Sequence, residues 1–185
     1  FRLLLPPPGR TPVWPRVAAS GRTEWPDGQD SLHRPVYTVV AAQGRHLDFD
    51  IFRHPGSPTC DWALSRPLGA EVGVVGPGGG WIPTAPALTL LGDQTALPAI
   101  ARMLALARVP VRAHLRAAPE DLGPLAQDGR VSLCGDLLAA LAAAELPEGG
   151  HVWFAASGPE ARSARLHLQA RGLARRDFTA IAFWE

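Results

Sequence analysis

The sequence predicts an antiparallel β domain over residues 1–81 followed by a small parallel α/β, Rossmann-like domain over residues 82–185. Three observations carry this. From Tyr37 to Val75, short β-branched and alternating runs are separated by tight Gly and Pro turns, as in strands joined by hairpins. From Ala87 to Trp184, apolar strand-like runs alternate with helical patterns, as in a parallel sheet. Between them lies Gly76-Pro77-Gly78-Gly79-Gly80. This run is not GxGxxG, and Trp81-Ile82-Pro83 rather than a helix follows it, so it reads as a turn and interdomain hinge, with a phosphate loop as the other reading.

Composition bounds the chemistry. The chain has 185 residues, 46% of them hydrophobic, and can bury a real core. No apolar run approaches the ~18 residues of a membrane helix, so no membrane insertion is expected. A net charge of +1 gives no strong attraction to nucleic acid. All 18 basic residues are arginine, which excludes a Schiff-base or P-loop lysine. Cys60 and Cys134 form no CxxC pair, and a reduced, cytoplasmic protein is expected. The histidines show no paired spacing with cysteine or carboxylate, so no metal site is expected, and no GxSxG hydrolase motif occurs. The chain opens on Phe1 rather than methionine and is expected to be a fragment or to have a mis-assigned start.

In the first domain, Leu3-Leu4-Leu5 reads as a strand stopped by Pro6-Pro7-Pro8. The proline- and glycine-rich excursion up to residue 33 reads as a loose crossover pinned by buried Trp14 and Trp25 rings. Tyr37 to Ala41 is a predicted strand, and Gly44 a turn. Leu47, Phe49 and Ile51 then alternate with polar residues, predicting one face in the core and one in water. After the break at His54-Pro55-Gly56, Thr59 is the expected cap of a short helix from Cys60 to Arg66, with Trp62 and Ala63 facing inward. Glu71 to Val75 is the last strand. The stretch from Arg34 to Ala63 thus reads as a site for a flat aromatic ring at one end and a phosphate at the other.

In the second domain, Ala87 to Leu91 is continuously apolar, as in a strand buried on both faces. A helix from about residue 95 to 108 follows, with Pro98 in its first turn and Ile100, Met103, Leu104 and Ala107 on its core stripe. Further strands are expected at 109–115, 131–133, 152–155 and 178–184, with helices at 136–145 and up to Arg171. Ser157 and Glu160 have capping-box spacing, and Gly172 is the expected C-cap. Helices are expected on both faces, and ligands beyond the carboxyl ends of the strands. Two turns occupy that edge, Gly92-Asp93-Gln94-Thr95 and Ala156-Ser157-Gly158-Pro159. Each leads into a helix N-terminus suited to a nucleotide phosphate, or is an ordinary well-capped turn.

These parts, in this order, resemble the siderophore-interacting protein family, flavin-dependent ferric-siderophore reductases of the ferredoxin-reductase-like type. The matching residues are Arg2–Gly9 (RLLLPPPG), Tyr37-Thr38 in place of the R-x-Y-T-x-R core, Leu47–His54 (LDFDIFRH), Ser57–Ala63 (SPTCDWA) against G-P-A-S-x-W-A, and Gly92–Ile100 (GDQTALPAI) against G-D-E-T-A-L-P-A-I. The last is the most specific. The family carries more strands ahead of RLLLPPPG, so the resemblance implies a partial antiparallel flavin-binding β-barrel over 1–81 and an NAD(P)H-binding α/β domain over 82–185.

The resemblance further implies FAD as cofactor, NADPH or NADH as electron donor, and a ferric siderophore as the partner that is reduced. Tyr37 would lie against the flavin ring, Thr38 would hydrogen-bond near its N5 edge, and the backbone of Val39 and Val40 would lie along the flavin, with Arg34 also among the cofactor-binding residues and His54 beside the adenine-dinucleotide portion. Thr59 and Cys60 would hold the pyrophosphate, and Asp93 and Thr95 would stand at the nicotinamide-nucleotide turn. Arg34, Arg45 and Arg53 are candidates for an anionic chelate, and Arg116, Arg162 and Arg165 for a 2′-phosphate. The departures are Pro35 and Val40 at the motif arginines, Cys60 for serine, and Ser157 in the A-G-E segment. They support an alternative, a divergent or truncated non-catalytic member with weak or no flavin binding.

Overall fold

The computed structural model describes residues 1–65, 68–78 and 82–185. The predicted helix end at Arg66 and the hinge residues Gly79, Gly80 and Trp81 lie outside the described residues. The chain divides into two units, Phe1–Gly80 and Trp81–Glu185, built on different principles.

The first unit is held by short ladders. Strand β1 (Arg2–Leu4) pairs antiparallel with β6 (Gly73–Val75). Its other edge meets an extended segment, through single bridges from Arg2 to Val36 and from Leu5 to His33. The strand predicted from Tyr37 to Ala41 is therefore corrected. Its first part runs as extended chain beside Phe1, and the regular ladder begins only in β4 (Ala41–Gln43), which turns at Gly44 into β5 (His46–Asp48). Pro35 has no N–H to give, so a continuous ladder cannot run through this segment.

The predicted alternation is real but shallow. Phe49 and Ile51 are half-buried, whereas Leu47 is exposed. Strands β2 (Arg16–Val17) and β3 (Thr23–Glu24) form a small hairpin inside the proline-rich excursion, and one 3-10 turn (Gly28–Asp30) follows it. Trp14 does pin this excursion: its indole donates to Glu71 at 3.0 Å, and its ring lies over Gly73. Trp25 does not, since its ring is exposed beneath the Arg34 guanidinium. Helix α1 (Pro58–Ser65) is capped by Ser57, whose Oγ accepts from the Cys60 N–H, and not by Thr59. Ala63 faces solvent, and Trp62 alone of the expected pair packs inward.

The second unit is a five-stranded parallel sheet in the order β11-β10-β7-β8-β9. The strands are β7 (Leu88–Asp93), β8 (Val111–Arg116), β9 (Val131–Leu133), β10 (His151–Ser157) and β11 (Phe178–Trp184). Strands β7 and β10 are buried throughout, as the unbroken apolar runs require. Helix α2 (Leu97–Leu106), entered through a 3-10 turn at Gln94–Ala96, packs with Leu88, Leu90, Leu115 and Trp153 on one face. Helices α3 (Leu137–Ala143) and α4 (Gly158–Ala170) pack with Leu91, Val152, Phe154 and Phe178 on the other.

The change of face has a topological cause. From β7 the chain steps outward to β8 and β9, then returns across β7 to β10 and β11. Right-handed crossovers in opposite directions place their connections on opposite faces. The direction reverses between β7 and β10, which makes the carboxyl ends of those two strands the switch point at which open sheets of this kind take ligands. Gly92 lets helix and strand close there: a Cβ on it would lie 2.6 Å from the Ala96 Cβ and 2.8 Å from the Ile100 Cδ1. Among the described residues, no helix is long and apolar enough to cross a membrane.

Candidate functional site

Each unit brings one group of the sequence-predicted residues together. In the first unit the group is aromatic. Tyr37 exchanges backbone hydrogen bonds with Phe1, each 2.9 Å long. Its ring lies 5.2 Å from Phe49, which in turn meets Phe1 edge-on at 5.1 Å. Val39 packs on the same cluster, over Leu3 and Leu5. Burial pushes the Tyr37 phenol above its ordinary range, and a hydrogen bond with Thr59 acts in the opposite direction. Thr38 is half-buried beside this cluster in sequence.

Thr59 and Cys60, on the first turn of α1, are both buried. The Thr59 Oγ1 lies 3.0 Å from His33 Nε2, and the Cys60 thiol donates to the Phe52 carbonyl at 3.4 Å. Both side chains thus fasten α1 to the chain beneath it. His54 is exposed, with Nδ1 3.2 Å from its neighbour's carbonyl at Pro55 and its ring stacked on Phe52. Arg34 is exposed over Trp25, 4.6 Å from the ring centre. Tyr37, Thr59 and Cys60 therefore form one neighbourhood, while Arg34 and His54 have other neighbours.

In the second unit the group is polar and sits at the switch-point crevice. Asp93, the last residue of β7, is fully buried. Its Oδ1 accepts from the Thr95 N–H at 3.0 Å and the Thr95 hydroxyl at 2.6 Å. Its Oδ2 accepts from the Trp184 indole N–H at 2.7 Å and lies 3.7 Å from the Arg116 guanidinium. Arg116 in turn makes a two-pronged ion pair with Glu160, whose Oε2 also accepts from the Ser157 hydroxyl at 2.7 Å. The Arg116 guanidinium holds the Glu160 carboxyl below its ordinary range, and Glu160 raises Arg116 in return.

Asp93 and Thr95 were legible from the turn motif, but their partners were not. Register explains the assembly, since Asp93 stands opposite Arg116 on β8, and Ser157 opposite Trp184 on β11. Strand ends on one edge of a parallel sheet can be 91 residues apart in sequence, as Asp93 and Trp184 are across the intervening β10. The capping-box spacing marked Glu160, yet its carboxylate bonds the Ser157 hydroxyl and Arg116 instead of closing the usual box on the backbone N–H of Ser157. The network ties four strand ends into one rigid rim. It leaves the N-terminal end of α4 as the dipole-positive lip of the crevice.

Comparison with known proteins agrees with this two-part plan. Residues 85–185 match the family model "Siderophore-interacting protein", and residues 1–81 match "Siderophore-interacting FAD-binding domain". The ferric vibriobactin reductase ViuB of Vibrio cholerae is 39% identical over 88 residues, covering 43% of this chain and 31% of that protein. The chain thus spans about a third of that curated relative. A siderophore-interacting protein from Acinetobacter baumannii superposes with a TM-score of 0.74 at 22% identity, covering 99% of this chain and 75% of the other. The siderophore-interacting protein SipS from Aeromonas hydrophila gives 0.73 at 23% identity, covering 99% and 82%.

Proposed function

Because the chain belongs to the siderophore-interacting protein family, we propose that it is a flavin-dependent reductase of ferric siderophores that draws electrons from NAD(P)H. Residues 1–81 would be the FAD-binding part, and residues 82–185 the nicotinamide-nucleotide part. The observation that carries this reading is the braced set of strand ends at Asp93 and Ser157, on the half of the chain joined to an FAD-binding domain match. An open parallel sheet takes dinucleotides at such a switch point, with phosphate at a helix N-terminus.

The donor set of the first unit fits a flavin at its ring end. Tyr37 and Thr38 keep partly exposed surface, and Tyr37 is held by the Phe1–Phe49 cluster rather than free to swing. At the phosphate end the side-chain donors are the exposed Arg53 and His54, with the backbone at the start of α1. Thr59 and Cys60 would act there by fixing α1 in place, their own polar atoms being already bonded. When bound, FAD supplies the means to accept two electrons as hydride and release them singly. The protein's part is to hold Tyr37 and Thr38 against the ring, to orient the nucleotide at the Asp93–Thr95 turn, and to keep the rim rigid through Arg116 and Glu160. Reduction of the substrate iron lowers its charge and weakens its hold on hard oxygen donors, so the chelate releases it.

A second reading, a member that binds flavin weakly or not at all, is favoured by the inward-turned Thr59 and Cys60 and by Pro35 and Val40 in place of arginines. Each missing charge-assisted hydrogen bond to phosphate is worth about 1.5–3 kcal/mol. The two readings separate on reconstitution of the purified chain with FAD. Retention of yellow absorbance, bleaching by NAD(P)H without oxygen, and trapping of ferrous iron from a ferric chelate are expected. Failure to retain flavin at micromolar excess would leave the second reading standing.

A further inference from the structure

Arg116 ends β8, the strand next to the switch-point strand β7. An arginine at such a strand end is well placed to receive the 2′-phosphate of NADPH. Here the fork of its two terminal nitrogens is already turned to a carboxylate. Both terminal nitrogens bond the two oxygens of Glu160, and the buried Asp93 carboxylate lies 3.7 Å away. The other arginines at this edge are also committed or accompanied. Arg165 donates to the Ala180 carbonyl at 3.0 Å, and Arg162 reaches Gly158 together with the Glu185 carboxylate.

Resting on the reading that this crevice takes a reduced nicotinamide, we propose that the Arg116–Glu160 pair makes it selective for NADH over NADPH. A 2′-phosphate brings close to two negative charges to a rim where the carboxylates Asp93, Glu160 and Glu185 already outnumber the guanidinium groups of Arg116 and Arg162. To grip it with the same fork, Arg116 must leave Glu160, and among the described residues that partly buried carboxylate then keeps only the Ser157 hydroxyl as partner. A ribose hydroxyl makes no such demand, because it donates to a carboxylate oxygen with the ion pair intact.

The test is calorimetric titration of the whole chain with 5′-ADP and with 2′,5′-ADP at one ionic strength. Wild type is expected to bind 5′-ADP about tenfold more tightly than 2′,5′-ADP. Glu160→Gln loosens the hold on Arg116 and is expected to raise the affinity for 2′,5′-ADP relative to 5′-ADP about tenfold. Adding Arg116→Gln should erase that gain. Tighter binding of 2′,5′-ADP by wild type overturns the proposal, as does an unchanged ratio in a Glu160→Gln variant whose circular dichroism is native. Should that variant not fold, Arg116→Gln alone decides: loss of 2′,5′-ADP binding would mean that Arg116 reads the phosphate, and unchanged weak binding supports the lock. Binding of neither nucleotide would instead sink the nicotinamide reading itself, a result distinct from a preference for the phosphorylated probe.

Discussion

The two halves of this chain bury their apolar residues in contrasting ways. In the second unit, β7 and β10 are sealed on both faces, and Phe154, Leu90, Leu91, Leu137 and Leu141 have no exposed surface. In the first, the core is Phe1, Leu3 and Leu5 with half-buried Tyr37, Val39, Phe49, Trp62 and Val72 around it, while Val36, Val40, Phe52, Val74 and Val75 face solvent. A parallel sheet needs its crossovers, and the crossovers bring the helices that seal it. Short antiparallel ladders carry no such guarantee. The second unit carries its candidate residues on strand ends, and the first unit carries its own on irregular segments and an eight-residue helix.

Truncations in the two cores should break this contrast most visibly. Phe154→Ala empties a fully enclosed site and should cost about 3–5 kcal/mol, whereas Leu3→Ala should fall at the low end of the ~2–5 kcal/mol range because its neighbours can settle inward. Urea unfolding followed by tryptophan fluorescence checks both; equal losses would contradict the comparison. Next comes Gly92→Ala, whose new methyl meets Ala96 and Ile100 well inside contact distance. About 1–3 kcal/mol of overpacking is expected, read as a lowered thermal midpoint of the second unit.

Helix caps sharpen the contrast at a smaller scale. Asp136 accepts from two N–H groups at the start of α3, and Ser57 from one at 3.3 Å at the start of α1. Within the usual range of about 0.5–2 kcal/mol for lost caps, Asp136→Ala should sit high and Ser57→Ala low.

The gentlest probe is acid. Burial holds His33, His114 and His151 below the ordinary histidine value of 6.5. Their folded values lie below the unfolded one, so the stability they contribute is complete above pH 6.5 and is lost as the pH falls through the folded values. His33 belongs to the first unit and the others to the second, so both should soften together just below pH 6.5. Glu160, lowered from 4.5 chiefly by its bond to Arg116, contributes stability above that pH and loses it as the pH falls further. Its loss should appear in the second unit alone, and in Glu160→Gln this second acid step should be smaller, with the Asp128–Arg130 pair still contributing.

The sequence by itself determined the strand-and-helix order of the second unit, because continuous apolar runs, Pro98 and the caps at Ser157 and Gly172 are local signals that agree with the packing. It also determined the turn at Asp93–Thr95, a contact two residues long. It could not determine the partners of that turn. Arg116, Glu160 and Trp184 meet Asp93 and Ser157 through strand order and register, which no local pattern encodes. In the first unit, residue types at Tyr37 and at Thr59–Cys60 marked residues that the fold brings together, but not which way the side chains turn. Tertiary contact decided that: the His33 ring and the Phe52 carbonyl meet Thr59 and Cys60, and α1 is fastened inward by the groups that sequence alone would have aimed at a phosphate.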